Sequence, residues 1–392
     1  MIKIRTRHNL VYPLFLFVSS FPREIISIIL TYIGFNDAPL LTILMFLSEL
    51  ISGTILFLYT NTPSFSETKN NSKKLSKIQL IITTTTIKRP DSEKKIYILT
   101  FMAAYFDFIE FILTTLYVTK LSKGEFQTLY IRQRCTLTIC SGILWVILLR
   151  MKILKHQIVS LFAILGCLIS IIITEYIFES DKNTLTKLLL LITADYIFNS
   201  FIENIDKYLL EFNYTNPFQI LMLEGLFGLI FCIIVSFFQD LDPITPMTKF
   251  FKDNETNKKY IAYMIILLFL FFLFSCGRNS YRMIVNKLYS PMTRTLTDSV
   301  NDPFLILFYF INDKDFKMED KITKNYAYFI INFILLFIII IFGLIFNEFI
   351  VVFCCDLEYE THSEITTRAN SEFKFELSKT GNESDNDSDY YD

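Results

Sequence analysis

Carboxylates stand in the middle of stretches that are otherwise apolar enough to be solvated by lipid. Glu49 lies inside 38–59, Asp107 and Glu110 inside 96–119, Asp195 inside 184–202, and Glu224 inside 217–238. Asp298 and Asp302 lie inside 290–311, and Arg23, Arg132, Arg134 and Arg294 have comparable surroundings. A charge at the bilayer centre costs about 2.5–3.5 kcal/mol on insertion scales, so such residues face a bundle interior and mark a solute, ion or proton path. The chemistry open to them is ion pairing, solute binding and proton exchange.

Residues three or four apart share a helix face. Asp107 and Glu110 therefore project together. Arg294, Asp298 and Asp302, at successive four-residue steps, predict one continuous polar stripe on a ninth helix. Pro22 precedes the adjacent pair Arg23 and Glu24, where it can loosen the helix and free carbonyls toward a cavity. Arg132 and Arg134 fall in the first turns of a fourth helix, where snorkelling to the interface accounts for them equally well. Packing alone can also use such groups, since Arg294 and Asp298 one turn apart can lock a helix register without any ligand. Against this, Glu24, Glu49, Asp107, Glu110, Asp195, Glu224, Asp298 and Asp302 outnumber Arg23, Arg132, Arg134 and Arg294, so pairing does not neutralise them all. An acid surplus attracts a cationic or zwitterionic solute, or stores protons that leave as a cavity changes sides. A phosphate-bearing solute calls for excess Lys or Arg, so nucleotide sugars fit this set less well.

What must hold these side chains is a helical bundle. Hydrophobic residues make up 52% of the 392-residue chain, and 330–346 (IINFILLFIIIIFGLIF) carries no charge. A helix of about 20 apolar residues crosses the hydrocarbon core, and no alternating pattern suggests a barrel. The sequence predicts an all-α membrane protein with ten transmembrane helices: 11–32, 38–59, 96–119, 126–149, 154–175, 184–202, 217–238, 260–283, 290–311 and 326–350. Basic residues gather in the 1–10 arm, in the 60–95 loop, at Arg150, Lys152 and Lys155, and at Arg278, Arg282 and Lys287. The positive-inside rule then puts both termini in the cytosol. The first apolar stretch is read as a retained span, because Pro22, Arg23 and Glu24 interrupt it and no small-residue cleavage site follows. Among the sequons, Asn254 falls in a lumenal loop. The acidic segment 356–392 cannot bury a core and is expected to be a disordered cytosolic tail.

Cys135, Cys140, Cys167, Cys232 and Cys276 lie in spans as small apolar packing residues. Cys354 and Cys355 follow the last span, where acylation and simple burial are both open. His8, His156 and His362 all lie away from the middle of a span, so neither a metal nor a cofactor is expected.

The two halves share features in the same order. Ile43-Leu44-Met45, Glu49 and Gly53 answer to Ile220-Leu221-Met222, Glu224 and Gly228, with the same four residues from glutamate to glycine. Lys120-Leu121 before Thr128-Leu129 answers to Lys287-Leu288 before Thr295-Leu296, and Glu175-Tyr176-Ile177 to Glu348-Phe349-Ile350. The halves are 11–175 and 184–355. Five spans is an odd number, so the second copy inserts upside down, giving two inverted five-helix repeats.

Ten spans in a 5+5 arrangement resemble the drug/metabolite transporter superfamily, in particular its EamA-type and nucleotide-sugar-transporter-related (solute carrier family 35-like) branches. The stretch Phe342-Gly343-Leu344-Ile345-Phe346-Asn347-Glu348-Phe349-Ile350-Val351 is similar to the last span of protist members. So is Gly277-Arg278-Asn279-Ser280-Tyr281-Arg282 through Leu288-Tyr289-Ser290-Pro291-Met292. The resemblance implies a central cavity among spans one to four and six to nine, with spans five and ten at an edge that can form a homodimer contact. The expected function is secondary transport of a small organic solute by alternating access, with proton coupling through the buried acids. The expected partners are that solute and membrane lipid, with no nucleic acid. A membrane acyl- or glycosyl-transferase is disfavoured, because no intramembrane histidine and no lumenal aspartate pair are present. A nucleotide-sugar antiporter of the endomembrane system, or a non-transporting receptor or scaffold, is the alternative.

Overall fold

The computed structural model describes residues 2–4, 11–33, 35, 38–61, 92–120, 129–150, 153–178, 181–236, 244–253, 258–312 and 322–352. Most of the 1–10 arm and the 60–95 loop, together with Asn254, Cys354, Cys355 and the acidic tail, lie outside the described residues. In chain order the elements are β1 (Ile2–Ile4), α1 (Val11–Tyr32), α2 (Ala38–Asn61), α3 (Ser92–Lys120), α4 (Cys135–Leu149), α5 (Lys155–Phe178) and α6 (Lys182–Glu211). They continue with α7 (Pro217–Ser236), α8 (Ile244–Asp253), α9 (Lys258–Leu288), α10 (Pro291–Ser299), α11 (Asp302–Asn312), α12 (Ile322–Phe346) and β2 (Ile350–Val352).

Among the described residues, eight helices are long and apolar enough to cross a membrane; they are built on α1, α2, α4, α5, α6, α7, α9 and α12. The distribution of side chains fits a lipid solvent. Phe162, Ile177, Leu190 and Phe269 point outward, while Glu49, Asp195, Glu203, Asp206 and Glu224 are fully buried. Exposed apolar bulk is solvated by acyl chains, whereas a polar group facing them costs several kcal/mol. The chain is a helical multi-pass membrane protein.

Neighbouring helices form a repeating pattern. α2 packs along α7, α1 along α9, α3 along α6, α5 along α12 and α4 along α10, with further contacts of α7 on α3 and of α9 on α2. The α2–α7 contact is made at backbone level. A Cβ on Gly53 would lie 2.6 Å from the Met222 amide nitrogen and 3.1 Å from the Leu221 carbonyl carbon. One on Gly225 would strike the backbone of Phe46 and Leu50, and one on Gly228 the ring of Phe46. Small residues of this kind let membrane helices approach closely enough for dispersion to hold them. Each glycine four residues after a glutamate thus meets the residue three before the other glutamate: Gly53 meets Leu221, and Gly228 meets Phe46. That is a local two-fold relation between antiparallel helices.

β1 pairs antiparallel with β2, Ile4 opposite Ile350, so the two ends of the bundle chain meet at one face. At the C-terminal end of α9, Lys207 donates from Nζ to the carbonyls of Asn286 (2.9 Å), Lys287 (3.1 Å) and Tyr289 (2.6 Å), and pairs with Glu211 at 2.7 Å. The carbonyls of Asn286 and Lys287 belong to the last turn of α9, and a cation there complements the helix dipole.

Three sequence expectations need correction. α6 runs on to Glu211 and α9 to Leu288, past the predicted ends at 202 and 283. Arg282 is therefore an interior residue and Arg278 a largely buried one, neither being part of a basic flank, and Glu203, Asp206 and Lys207 are interior too. Clustered polar residues mimic a water boundary in the sequence, but here they meet one another inside the bundle. Third, the ninth span is broken between α10 and α11. Pro303 supplies no amide hydrogen and Asp-Pro favours a helix start, so Asn301-Asp302-Pro303 ends one helix and begins the next. The stripe Arg294–Asp298–Asp302 is not continuous on one helix.

Candidate functional site

The buried charges form two linked clusters. In the first, Arg282 of α9 reaches Glu224 of α7 at 2.8 Å and Glu49 of α2 at 3.7 Å. Asp206 of α6 is buried beside Glu224, and neither of its carboxylate oxygens has a hydrogen-bond partner among the described residues. Asp107 of α3 is buried beside them, and its Oδ2 has no hydrogen-bond partner among the described residues. Arg282 is the cation whose field reaches Glu49, Glu224, Asp206 and Asp107 together. One guanidinium does not balance four carboxylates. Arg278 also acts on Glu49 and Asp107, and Arg294 and Arg23 act on Asp107.

The second cluster spans α1, the start of the fourth span, α9, α10 and α11. Arg134 pairs with Glu24 at 3.1 Å and with Asp302 at 2.9 Å, and donates to the carbonyl of Asp298 at 3.3 Å. It thereby ties both sides of the break at Val300–Asn301. Asp298 accepts from Ser20 Oγ at 2.8 Å and from Arg278 at 3.3 Å, and Arg278 Nε donates to Ser20 Oγ at 3.1 Å. Arg294 bonds Glu203 of α6 and lies 3.8 Å from Asp298, joining the clusters. Asn279 donates to Ser48 at 3.1 Å beside Glu49, and Thr138 meets Thr295 at 2.9 Å.

Glu110 accepts from Asn199 of α6 at 3.2 Å, one turn beyond the fully buried Asp195, so α3 and α6 carry a third polar contact. Among the described residues no carboxylate stands within ion-pair distance of Arg23. Its guanidinium lies 5.2 Å from the Phe271 ring centroid, and Nη2 approaches Met45 Sδ at 3.7 Å.

Set against known proteins, the chain matches no family model and no curated protein.

Of the residues predicted for a central cavity, Glu49, Asp107, Glu224, Asp298, Asp302, Arg134 and Arg294 are brought together in these clusters. Arg132 is not. It pairs with Glu175 at 2.7 Å and lies 4.8 Å from the Tyr328 ring, while Tyr328 donates to Glu175 at 2.5 Å. The trio clamps the fourth span to the end of α5 and the start of α12, away from the centre. Sequence reasoning missed Arg278, Arg282, Glu203 and Asp206 as interior residues. The signal was present, for Ser275, Asn279, Arg282 and Asn286 recur at three- and four-residue steps and are all buried, drawing one polar face along α9. Among the described residues no three His, Cys, Asp or Glu side chains are grouped to hold a metal ion.

Proposed function

We propose that this chain is a secondary transporter of drug/metabolite type, moving a small organic solute by alternating access. The observation that carries this reading is the pattern of helix neighbours around the charged centre. α3 and the α10–α11 pair are taken as the third and ninth of ten spans. Exchanging the five-span halves then turns α1 on α9 into α6 on α3, and α9 on α2 into α3 on α7. The contacts of α2 with α7, of α4 with α10 and of α5 with α12 map onto themselves. Inverted repeats with a broken helix at the repeat interface are the architecture by which carriers open alternately to two sides. Four buried carboxylates, Glu49, Asp107, Asp206 and Glu224, gathered about Arg282 make proton coupling the drive that this reading favours. Both termini are proposed to face the cytosol, in an endomembrane or plasma membrane. The apolar outer face of α5 and α12 meets lipid or a second copy.

The test is uptake by proteoliposomes, with and without a pH gradient, across amino acids, organic cations, nucleotide sugars and sugar phosphates. One class should show saturable flux, abolished by Glu49→Gln and by Glu224→Gln in protein that still elutes as a folded species. Undiminished flux in both variants would remove these residues from the mechanism. No flux of any class by folded protein would favour a receptor or scaffold.

A further inference from the structure

We infer that Arg23 is an oxyanion-binding residue, the seat for a carboxylate or phosphate group, so that the solute carries an anionic group as well as whatever meets the carboxylates. This deepens the carrier reading and depends on it only for its use in transport.

The argument starts from the face that Arg23 occupies. On α1 the inward residues are Leu16, Ser19, Ser20, Ile26 and Leu30, all buried, whereas Val11, Leu14, Phe15 and Val18 are exposed to lipid. Arg23 falls three or four residues from Ser19, Ser20 and Ile26, so it belongs to the inward face. Yet it is only partly buried.

The other arginines of the two central clusters are engaged: Arg134 by Glu24 and Asp302, Arg278 by Asp298, Arg282 by Glu224, and Arg294 by Glu203. Glu24, next in sequence, turns to Arg134 rather than to its neighbour. Arg23 Nε is buried with no hydrogen-bond partner among the described residues, Nη2 meets the Met45 thioether, and the guanidinium lies over the Phe271 ring. A ring stacked over a guanidinium holds it flat and leaves its edge donors free. A fork of N–H donors on a fixed plane matches carboxylate and phosphate. Glu24, Asp298 and Glu49 act on it only from beyond ion-pair distance, so the anionic group of a ligand would complete its charge balance.

The experiment uses the full chain, purified in detergent, as wild type, Arg23→Lys and Arg23→Met. Melting temperature is followed against L-glutamate, citrate, UMP and inorganic phosphate, against tetraethylammonium and choline as cations, and against short-chain phosphatidic acid. At least one anionic probe should raise the melting temperature of wild type. Arg23→Lys should weaken that probe about tenfold by losing the fork, and Arg23→Met should abolish the shift. Met fits the same contacts without charge, so ligand-free Arg23→Met should melt no lower than wild type. A response to soluble probes assigns the group to a solute. A response to phosphatidic acid alone assigns it to a lipid headgroup. The inference is overturned if no anionic probe shifts the melt, if the shift survives Arg23→Met, or if ligand-free Arg23→Met melts well below wild type. Flux of an organic cation unaffected by Arg23→Met would overturn it and leave the carrier standing. Arg23-dependent binding without flux would do the reverse.

Discussion

Glu49 on α2 and Glu224 on α7 share one cation: Arg282 stands 3.7 Å from the first and 2.8 Å from the second, and all three are buried. The two glutamates hold equivalent places about the local two-fold of the α2–α7 pair, but the arginine comes from α9 and favours one of them. The centre is therefore asymmetric in charge within a nearly symmetric packing.

Arg282→Gln should destabilise the protein by about 3–5 kcal/mol, because it leaves Glu224 and Glu49 buried with no cation. Glu49→Gln should cost far less, since Glu49 holds Arg282 only at 3.7 Å and makes no hydrogen bond among the described residues. Thermal melts of the two variants in one detergent check the order.

Gly225→Ala should cost about 1–3 kcal/mol, because its methyl would strike the backbone of Phe46 and Leu50 and force α2 from α7. Gly166→Ala is the control. A Cβ there meets nothing within 4 Å, and alanine is the better helix former by about 1 kcal/mol. Chemical unfolding in mixed micelles should show opposite signs for the two.

The helical membrane fold was legible because lipid imposes long uncharged runs, and 330–346 admits no other reading. The glutamates at mid-span were legible for the same reason, as a charge there has no cheap explanation. Where apolar and polar residues mix, the sequence misled. Glu203, Asp206 and Lys207 on α6, and Arg278 and Arg282 on α9, look like the flanks of a span when read linearly. Only the packing of α6, α7 and α9 supplies their partners. Arg132 erred the other way, being drawn from the centre by Glu175 and Tyr328, whose proximity no local spacing announces. The break before Pro303 was overruled by an attractive four-residue spacing, although Asn-Asp-Pro is itself a helix-start signal.

At the start of α6, Asp181 caps the helix, accepting from the amides of Asn183 and Thr184 at 3.2 Å each and from Thr184 Oγ1 at 2.5 Å. The Thr184 hydroxyl holds its carboxyl below the usual aspartate value, with the amides adding to it. A depressed folded value means the cap is complete above the unfolded pKa of about 3.9 and is lost as pH falls through the lower folded one. Hydrogen exchange at Asn183 and Thr184, corrected for intrinsic rate, should lose protection on acidification below about pH 4. Asp181→Asn should keep it, because asparagine caps without titrating.

Tyr328→Phe should cost about 1–3 kcal/mol by removing a donor from buried Glu175, and Arg132→Gln more. Both should leave solute flux per folded molecule unchanged, because the clamp holds α5 and α12 at the edge of the bundle. Melting temperature and proteoliposome uptake, measured on the same preparations, separate the two effects.

The most direct test of the carrier reading asks whether the centre is reached from both sides. Met45, against Arg23 and two turns into α2, is replaced by cysteine in a background whose native cysteines are serine or alanine. The protein is reconstituted in one orientation and treated with a membrane-impermeant thiol reagent added outside, or trapped inside. Alternating access predicts that Met45→Cys reacts from either side, and that substrate or a pH gradient raises one rate while lowering the other. Reaction from one side alone, or from both with rates that never trade, would contradict it.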